Sequence, residues 1–347
     1  MPAKIIRVLV VDDSLFMRQF ISSKLSEDPS IEVVGTAGNA YEARDKIIEQ
    51  KPDVMTLDIQ MPGIDGIEFL RKLMPQYPLP VVVVSAVSDR VFDAMNAGAV
   101  DFINKSQLKD DRDRRNFISE LIVKLKIASI AKVGRHKHNP LRDIIEGNPG
   151  RRANGNEIIA IGASTGGTEA LYTILKELGC HLPGIVVVQH MPPVFTRLYA
   201  ERLNNDCAME VKEAADGDVV KPGRVLIAPG GLHMTVVRRG AGLSVQCREG
   251  EKVSGHCPSV DQLFLSVSRL KGLTSMGVLL TGMGSDGAKG LLEMKHAGAH
   301  TVGQDKQTSV VYGMPAVAQK IGAVDLELPI QKIARHICEW YGGVSKK

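Results

Sequence analysis

The sequence predicts an α/β protein built from two doubly wound domains. Three observations carry that reading. Short apolar, strand-like runs alternate with helix-period stretches over residues 5–131, and again over 157–340. Such alternation is the pattern of open parallel sheets with helices on both faces. Between the two series, from about residue 132 to 156, the periodicity stops. A chain of 347 residues is also a length that two domains of ordinary size fill. The domains are therefore expected at 1–126 and 157–347, joined by a linker at 127–156.

Composition narrows the class. The net charge of +4 and an aromatic content of 4% give neither the strong basicity nor the stacking surface of a nucleic-acid binder. The five cysteines (Cys180, Cys207, Cys247, Cys257 and Cys338) are scattered and include no C-x-x-C pair. They read as reduced thiols, not as a disulfide framework or a zinc site. No apolar run approaches the ~18 residues of a membrane helix. Met1-Pro2-Ala3-Lys4 runs into the first strand without a signal-peptide core. A cytoplasmic protein without direct membrane insertion is expected.

The first series reads as strands at 5–11, 31–36, 54–57, 80–85 and 100–103. Helices are expected at 14–25, 40–49, 66–74, 88–96 and 114–131, with Ser14 as an N-cap. In open α/β sheets, functional residues collect beyond the carboxyl ends of the strands. That rule gathers Asp12 and Asp13 after the first strand and Asp58 after the third. It adds Ser85 at the end of the fourth and Lys105 after the fifth. Three carboxylates in one crevice repel one another, and a divalent cation relieves this. Oxygen-only ligands suit Mg²⁺. One carboxylate can then attack a phosphoryl donor, with Ser85 and Lys105 holding the transferred oxygens.

These residues stand in Val10-Val11-Asp12-Asp13-Ser14, Asp58-Ile59-Gln60-Met61-Pro62-Gly63, Ser85-Ala86 and Asn104-Lys105. The stretch resembles two-component receiver domains, which have a flavodoxin-like fold. The resemblance implies phosphorylation at Asp58 and a metal site of Asp12, Asp13 and Asp58. It also implies Ser85 as the switch hydroxyl and Lys105 as the phosphate-sensing lysine. A histidine kinase is the implied phosphoryl donor.

The linker carries a basic run at 135–140 and a turn-rich run at 147–155, which reads as a solvated, charged connection. Residues 141–145 have the pattern of one amphipathic turn.

The second series opens at Ile158-Ile159-Ala160-Ile161-Gly162-Ala163-Ser164-Thr165-Gly166-Gly167. A strand at 158–161 stops at a glycine turn, and a helix is expected at 168–178. Ser164 stands in a G-x-S-x-G string, which has meaning only in this strand–turn–helix context. Further strands are expected at 184–188, 211–214, 224–228, 276–280 and 299–302. A β-hairpin is expected at 233–237 and 243–247, with helices at 195–203, 260–268, 288–297 and 330–340. The sheet is thus mostly parallel and carries one hairpin.

The strand-end rule applies again. Ser164, His190 and Asp286 each lie just past a buried strand. A serine needs an adjacent base, and the base needs a third group to fix its tautomer. His190 suits the first role and Asp286 the second. Their chain order differs from that of α/β-hydrolases, so the G-x-S-x-G match does not import that fold. The N–H groups of Thr165 and Met283 are the candidate oxyanion donors. His233 reads as a groove-shaping or locally bonded residue. His256 and Cys257, adjacent in sequence, do not read as a productive pair. The other histidines read as surface or helix-face residues. Two competing readings are a nucleotide-binding glycine turn and a nucleic-acid-binding output domain. The first lacks G-x-G-x-x-G, and the second lacks a helix-turn-helix pattern.

At these residues a second resemblance enters. The glycine turn at 161–167, Gln189-His190-Met191, residues 228–234, Pro258-Ser259-Val260-Asp261, residues 280–288 and residues 309–315 resemble the chemotaxis protein-glutamate methylesterase family. That resemblance implies hydrolysis of γ-glutamyl methyl esters on methyl-accepting chemotaxis receptors. It also implies deamidation of certain receptor glutamines. No cofactor is implied for the esterase chemistry. The two strand-end sites on one chain suggest that the first domain covers the Ser164 face until Asp58 is phosphorylated.

Overall fold

The computed structural model describes residues 4–86, 90–105, 108, 110–133, 155–240 and 242–342. The chain divides into two compact units, Met1–His138 and Asn139–Lys347. Most of the expected linker, including the basic run, the amphipathic turn, His136 and His138, lies outside the described residues.

The first unit alternates β1 (Ile6–Val11), α1 (Leu15–Leu25), β2 (Ile31–Ala37), α2 (Ala40–Gln50), β3 (Val54–Leu57), α3 (Gly66–Leu73), β4 (Val81–Ser85), α4 (Val91–Asn96), β5 (Asp101–Asn104) and α5 (Asp111–Ser129). The sheet order is β2-β1-β3-β4-β5, and every pairing is parallel. Strands β3 and β4 are buried along their whole length, as central parallel strands must be. Helix starts follow local chemistry. Asn39 and Asp65 each accept two main-chain N–H bonds in the first turn of the helix they cap. Ser14 accepts from the N–H of Met17. Helix α5 begins three residues before the expected start because Asp110 caps it through the N–H of Asp113. It also runs past the expected boundary at 126, to Ser129.

The second unit comprises β6 (Glu157–Ala163), α6 (Gly167–Leu175), β7 (Gly184–Gln189), α7 (Phe195–Asp206), β8 (Glu210–Glu213), β9 (Val219–Val220), β10 (Arg224–Ile227), β11 (His233–Arg239), β12 (Gly242–Arg248), α8 (Val260–Ser268), β13 (Thr274–Leu279), α9 (Ala288–His296), β14 (His300–Gln304), α10 (Met314–Lys320), β15 (Leu326–Leu328) and α11 (Ile330–Gly342). Seven strands form a sheet in the order β15-β14-β13-β6-β7-β10-β8, all parallel. The expected hairpin forms as β11 and β12, and β9 joins it in a small antiparallel sheet. Sequence reading did not find β9, β15 or α10. Two or three residues carry no readable period, and Pro315 early in α10 resembles a loop residue until it is seen at a helix start.

Position in the sheet decides the chemistry. Strand β6 leads through α6 to β7 on one side, while β13 lies on its other side. The three central strand ends therefore open at the place where the winding direction reverses, where a crevice forms. Helix α8 packs against β11 and α9, and its Phe264 is fully buried. Among the described residues no helix is long and apolar enough to cross a membrane.

Truncating Phe264 to Ala is expected to cost about 3–5 kcal/mol in this unit, because a buried phenyl leaves a cavity between α8, α9 and the hairpin. Denaturant unfolding measures it, and a loss under about 1 kcal/mol would mean that the site collapses freely.

Candidate active site

The turn after β6 is tied down from several sides. The N–H of Ser164 donates to the carbonyl of Thr281 past the end of β13, at 3.0 Å. The Gln189 side chain, buried at the end of β7, donates through Nε2 to the carbonyls of Ser164 (2.9 Å) and His190 (3.2 Å). The Thr281 hydroxyl donates to the carbonyl of Thr165 at 3.0 Å. The Ser164 hydroxyl is thus presented by a backbone clamped to both neighbouring strands. Gln189 appeared in the sequence only as a neighbour of His190. Its clamping role depends on a contact across 25 residues of chain.

The structure brings Ser164, His190 and Asp286 together. His190 Nδ1 lies 3.1 Å from Ser164 Oγ, and His190 Nε2 lies 2.8 Å from Asp286 Oδ2. An ionised carboxylate only accepts hydrogen bonds, so Nε2 carries the proton. Nδ1 is then the lone-pair nitrogen that faces the serine hydroxyl. The His190 side chain is 7% exposed and that of Asp286 1%, so water competes little for these contacts.

Asp286 is held by more than His190. Ser259 Oγ donates to Oδ1 at 2.8 Å, Val260 N–H to Oδ2 at 2.7 Å and Asp261 N–H to Oδ1 at 3.0 Å. The carboxylate therefore sits on the N-terminus of α8, where unpaired N–H groups and the helix dipole favour negative charge. Burial pushes the carboxyl up. The bond and charge of His190 and the N–H bonds of Asp261 and Val260 outweigh it, and the group lies below its ordinary value of 3.8. Asp261 next to it is also buried and accepts from the N–H of Gly290 at 2.7 Å. Burial, and secondarily the charge of Asp286, raise its carboxyl.

The remaining candidates are distributed around this line. Thr165 is buried beside the serine, while Met283 is 42% exposed. His233 bonds locally, through Nε2 to the carbonyl of Glu251 at 2.8 Å. His256 departs from expectation. Its ring lies flat on that of His190, with centroids 3.7 Å apart and planes 11° apart. Sequence adjacency to Cys257 hid this, because the partner lies 66 positions away in the chain. His300 and His336 pair with each other, Nε2 to Nε2, at 2.8 Å, and do not stand singly on the surface.

In the first unit the strand-end cluster also assembles. Carboxylate oxygens of Asp12, Asp13 and Asp58 lie within 4.8 Å of one another. Asp12 and Asp58 are buried, and Asp13 is exposed. Lys105 Nζ bridges Asp12 Oδ2 (2.7 Å) and Asp58 Oδ2 (2.6 Å). Burial, with the like charge of Asp12 added, raises the Asp58 carboxyl against the pull of Lys105. Burial alone would lower Lys105, but the two carboxylates raise it. Two buried acids against one ammonium leave negative charge for a divalent cation, and all-oxygen donors fit one. Ser85 is buried at the end of β4.

Comparison with known proteins follows the same division. Residues 159–337 match the family model for CheB methylesterase, and residues 8–114 match that for the response regulator receiver domain. A protein-glutamate methylesterase/protein-glutamine glutaminase of Syntrophomonas wolfei is 54% identical over 95% of this chain and 96% of its own. One from Syntrophotalea carbinolica is 51% identical over 98% of each. The crystal structure of the Thermotoga maritima CheB methylesterase catalytic domain is 39% identical, with a TM-score of 0.52, and covers 54% of this chain and 100% of its own.

The depressed Asp286 carboxyl has a consequence for stability. Its contribution is complete above the ordinary value of 3.8 and is lost as pH falls through its own lower value. An Asp286→Asn variant lacks that contribution at every pH. The gap in Tm between wild type and variant is expected to be wide near neutrality and to narrow below about pH 4. Calorimetry across that range measures it, and a gap independent of pH overturns the assignment.

Proposed function

The chain belongs to the CheB methylesterase family and carries a receiver domain ahead of the catalytic one, and on that premise we propose that it is a phosphorylation-controlled serine hydrolase of chemoreceptor methyl esters. The observation that supports this reading best is the unbroken line from Ser164 Oγ through His190 to Asp286. The substrate class is the γ-glutamyl methyl ester on methyl-accepting chemotaxis receptors. Receptor glutamines, close in shape to the ester, are substrates for deamidation. A cytoplasmic location follows from this substrate, as does a chemotaxis histidine kinase as phosphoryl donor. Neither nucleic acid nor membrane insertion enters the reading.

The steps follow from the geometry. Ser164 Oγ attacks the ester carbonyl while His190 Nδ1 takes its proton. The new imidazolium is stabilised by Asp286, which stays ionised because its bonding outweighs its burial. The N–H groups of Thr165 and Met283 are the proposed donors to the oxyanion; losing one such donor typically costs about 10²–10³ in rate. His190 then returns the proton to departing methanol. Water, losing its proton to the same nitrogen, opens the acyl-enzyme, and Nδ1 returns that proton to Ser164 Oγ as it departs. Every proton moves through Nδ1, so no cofactor is needed for the ester chemistry.

In the receiver, Asp58 is the proposed phospho-acceptor. Asp12, Asp13 and Asp58 would hold Mg²⁺, which supplies charge neutralisation for phosphoryl transfer. Ser85 and Lys105 would meet the phosphoryl oxygens, with Lys105 exchanging its carboxylate partners for them. Phosphorylation then shifts the chain between states of low and high esterase activity.

Methanol release from methylated receptor membranes is expected to fall by roughly 10³-fold or more in Ser164→Ala. Full activity in that variant would overturn the reading of the line as a catalytic triad. A small acyl phosphate with Mg²⁺ is expected to raise the wild-type rate roughly 5–150-fold, the usual span of coupling between sites. Asp58→Asn is expected not to respond, and equal stimulation of both proteins would remove Asp58 from the control.

A further inference from the structure

His256 reaches His190 by a local device. Val253 and His256 exchange both main-chain hydrogen bonds, at 3.0 and 2.9 Å. Between them Ser254 has φ 53° and Gly255 φ 84°. Positive φ at both central positions defines a tight hairpin turn of the primed kind. Gly255 adopts that conformation freely, whereas Ser254 is strained in it. A strained two-residue turn that delivers one imidazole onto another suggests a use at the site.

The contacts of His190 explain what that use is. Its two ring nitrogens, whose lone pair and N–H lie in the plane of the ring, are engaged by Ser164 and by Asp286. In-plane bonds resist sliding but resist tilting weakly, since a ring can rock about the line joining its two partners. The His256 ring covers one face of His190 at 3.7 Å and nearly parallel, which opposes that motion. We propose that His256 is a positioning residue that holds the His190 ring in the plane of the Ser164–Asp286 line through the reaction.

The inference rests on the triad reading above. It matters most after acylation. Ser164 Oγ is then esterified and no longer bonds Nδ1 as a hydroxyl, so of these contacts the ring keeps the Asp286 bond and the stack. The same nitrogen must still deliver its proton to methanol and then accept one from water. His256 does not pass a proton directly to His190, because a face-to-face stack offers no in-plane N–H···N line between the rings. An aromatic face is also a favourable neighbour for the transient imidazolium.

The absence of direct proton transfer gives a discriminating test in the full-length protein. His256→Ala is expected to lower kcat for methanol release about ten-fold, equivalent to about 1.4 kcal/mol, with KM unchanged. His256→Phe keeps a flat ring without a titrating group and is expected to retain kcat within about three-fold of wild type. The Tm of all three proteins is measured beside the kinetics. Where a variant melts lower, kcat is compared at one temperature well below the Tm of all three proteins. Wild-type kcat in His256→Ala overturns the proposal. So does a loss that Phe fails to restore, or a raised KM at unchanged kcat, which would place the ring against substrate. Ser164→Ala serves as the reference. If it is inactive while His256→Ala is normal, only this inference falls; if it is active, the triad reading itself falls.

Discussion

One buried carboxylate organises the catalytic unit. Asp286 is 1% exposed, and an isolated charge at that depth is not tolerated. It persists because four donors meet it: His190 Nε2, Ser259 Oγ and the N–H groups of Val260 and Asp261. Satisfying that charge fixes where α8 starts, because three of the donors belong to its first residues. It also fixes His190, because the fourth donor is the imidazole. The helix and the imidazole are therefore positioned by the same two oxygens. Removing the carboxylate disturbs structure and chemistry together.

Close packing makes that arrangement reachable. A methyl group on Gly162, in β6, would lie 2.2 Å from Cγ1 of Val260, so α8 approaches the sheet only because that position is bare. On the far side, Asp261 accepts the N–H of Gly290 in α9. Helix α9 itself follows directly after Asp286 in the chain. The loop that carries the acid is thus held at both ends, by the helix it bonds and by the helix it begins. Preorganisation of this kind means that little reorganisation accompanies the appearance of charge on His190.

The sequence revealed what depends on period and on strand ends. Regular alternation exposed both sheets, and the strand-end rule brought Ser164, His190 and Asp286 to one crevice, and Asp12, Asp13 and Asp58 to another. It could not reveal contacts that no local pattern encodes. The N-terminus of α8 looks like any helix start capped by Ser259; that it also receives Asp286 depends on β13 and α9 packing beside it. His256 read only as a neighbour of Cys257 because its turn is only four residues long and its partner belongs to a distant strand end. The pairing of His300, in β14, with His336, in α11, escaped for the same reason. Short edge elements such as β9 and β15 escaped because a strand of two or three residues has no alternation to read.

The two units show how environment separates two uses of aspartate. Asp286 is met almost wholly by neutral donors and lies below its ordinary pKa. Both oxygens are engaged, which suits an orienting acid and not a nucleophile. Asp58 shares one lysine with Asp12, and burial with that like charge drives its carboxyl upward. Besides Lys105, it accepts a long bond from the N–H of Gln60, at 3.3 Å. Charge is left unbalanced there, which a cation and a phosphoryl group can resolve. Complete hydrogen bonding suits the orienting role proposed for Asp286, and incompletely met charge suits the phospho-accepting role proposed for Asp58. That contrast, more than the presence of aspartate at a strand end, is what supports giving the two acids different proposed roles.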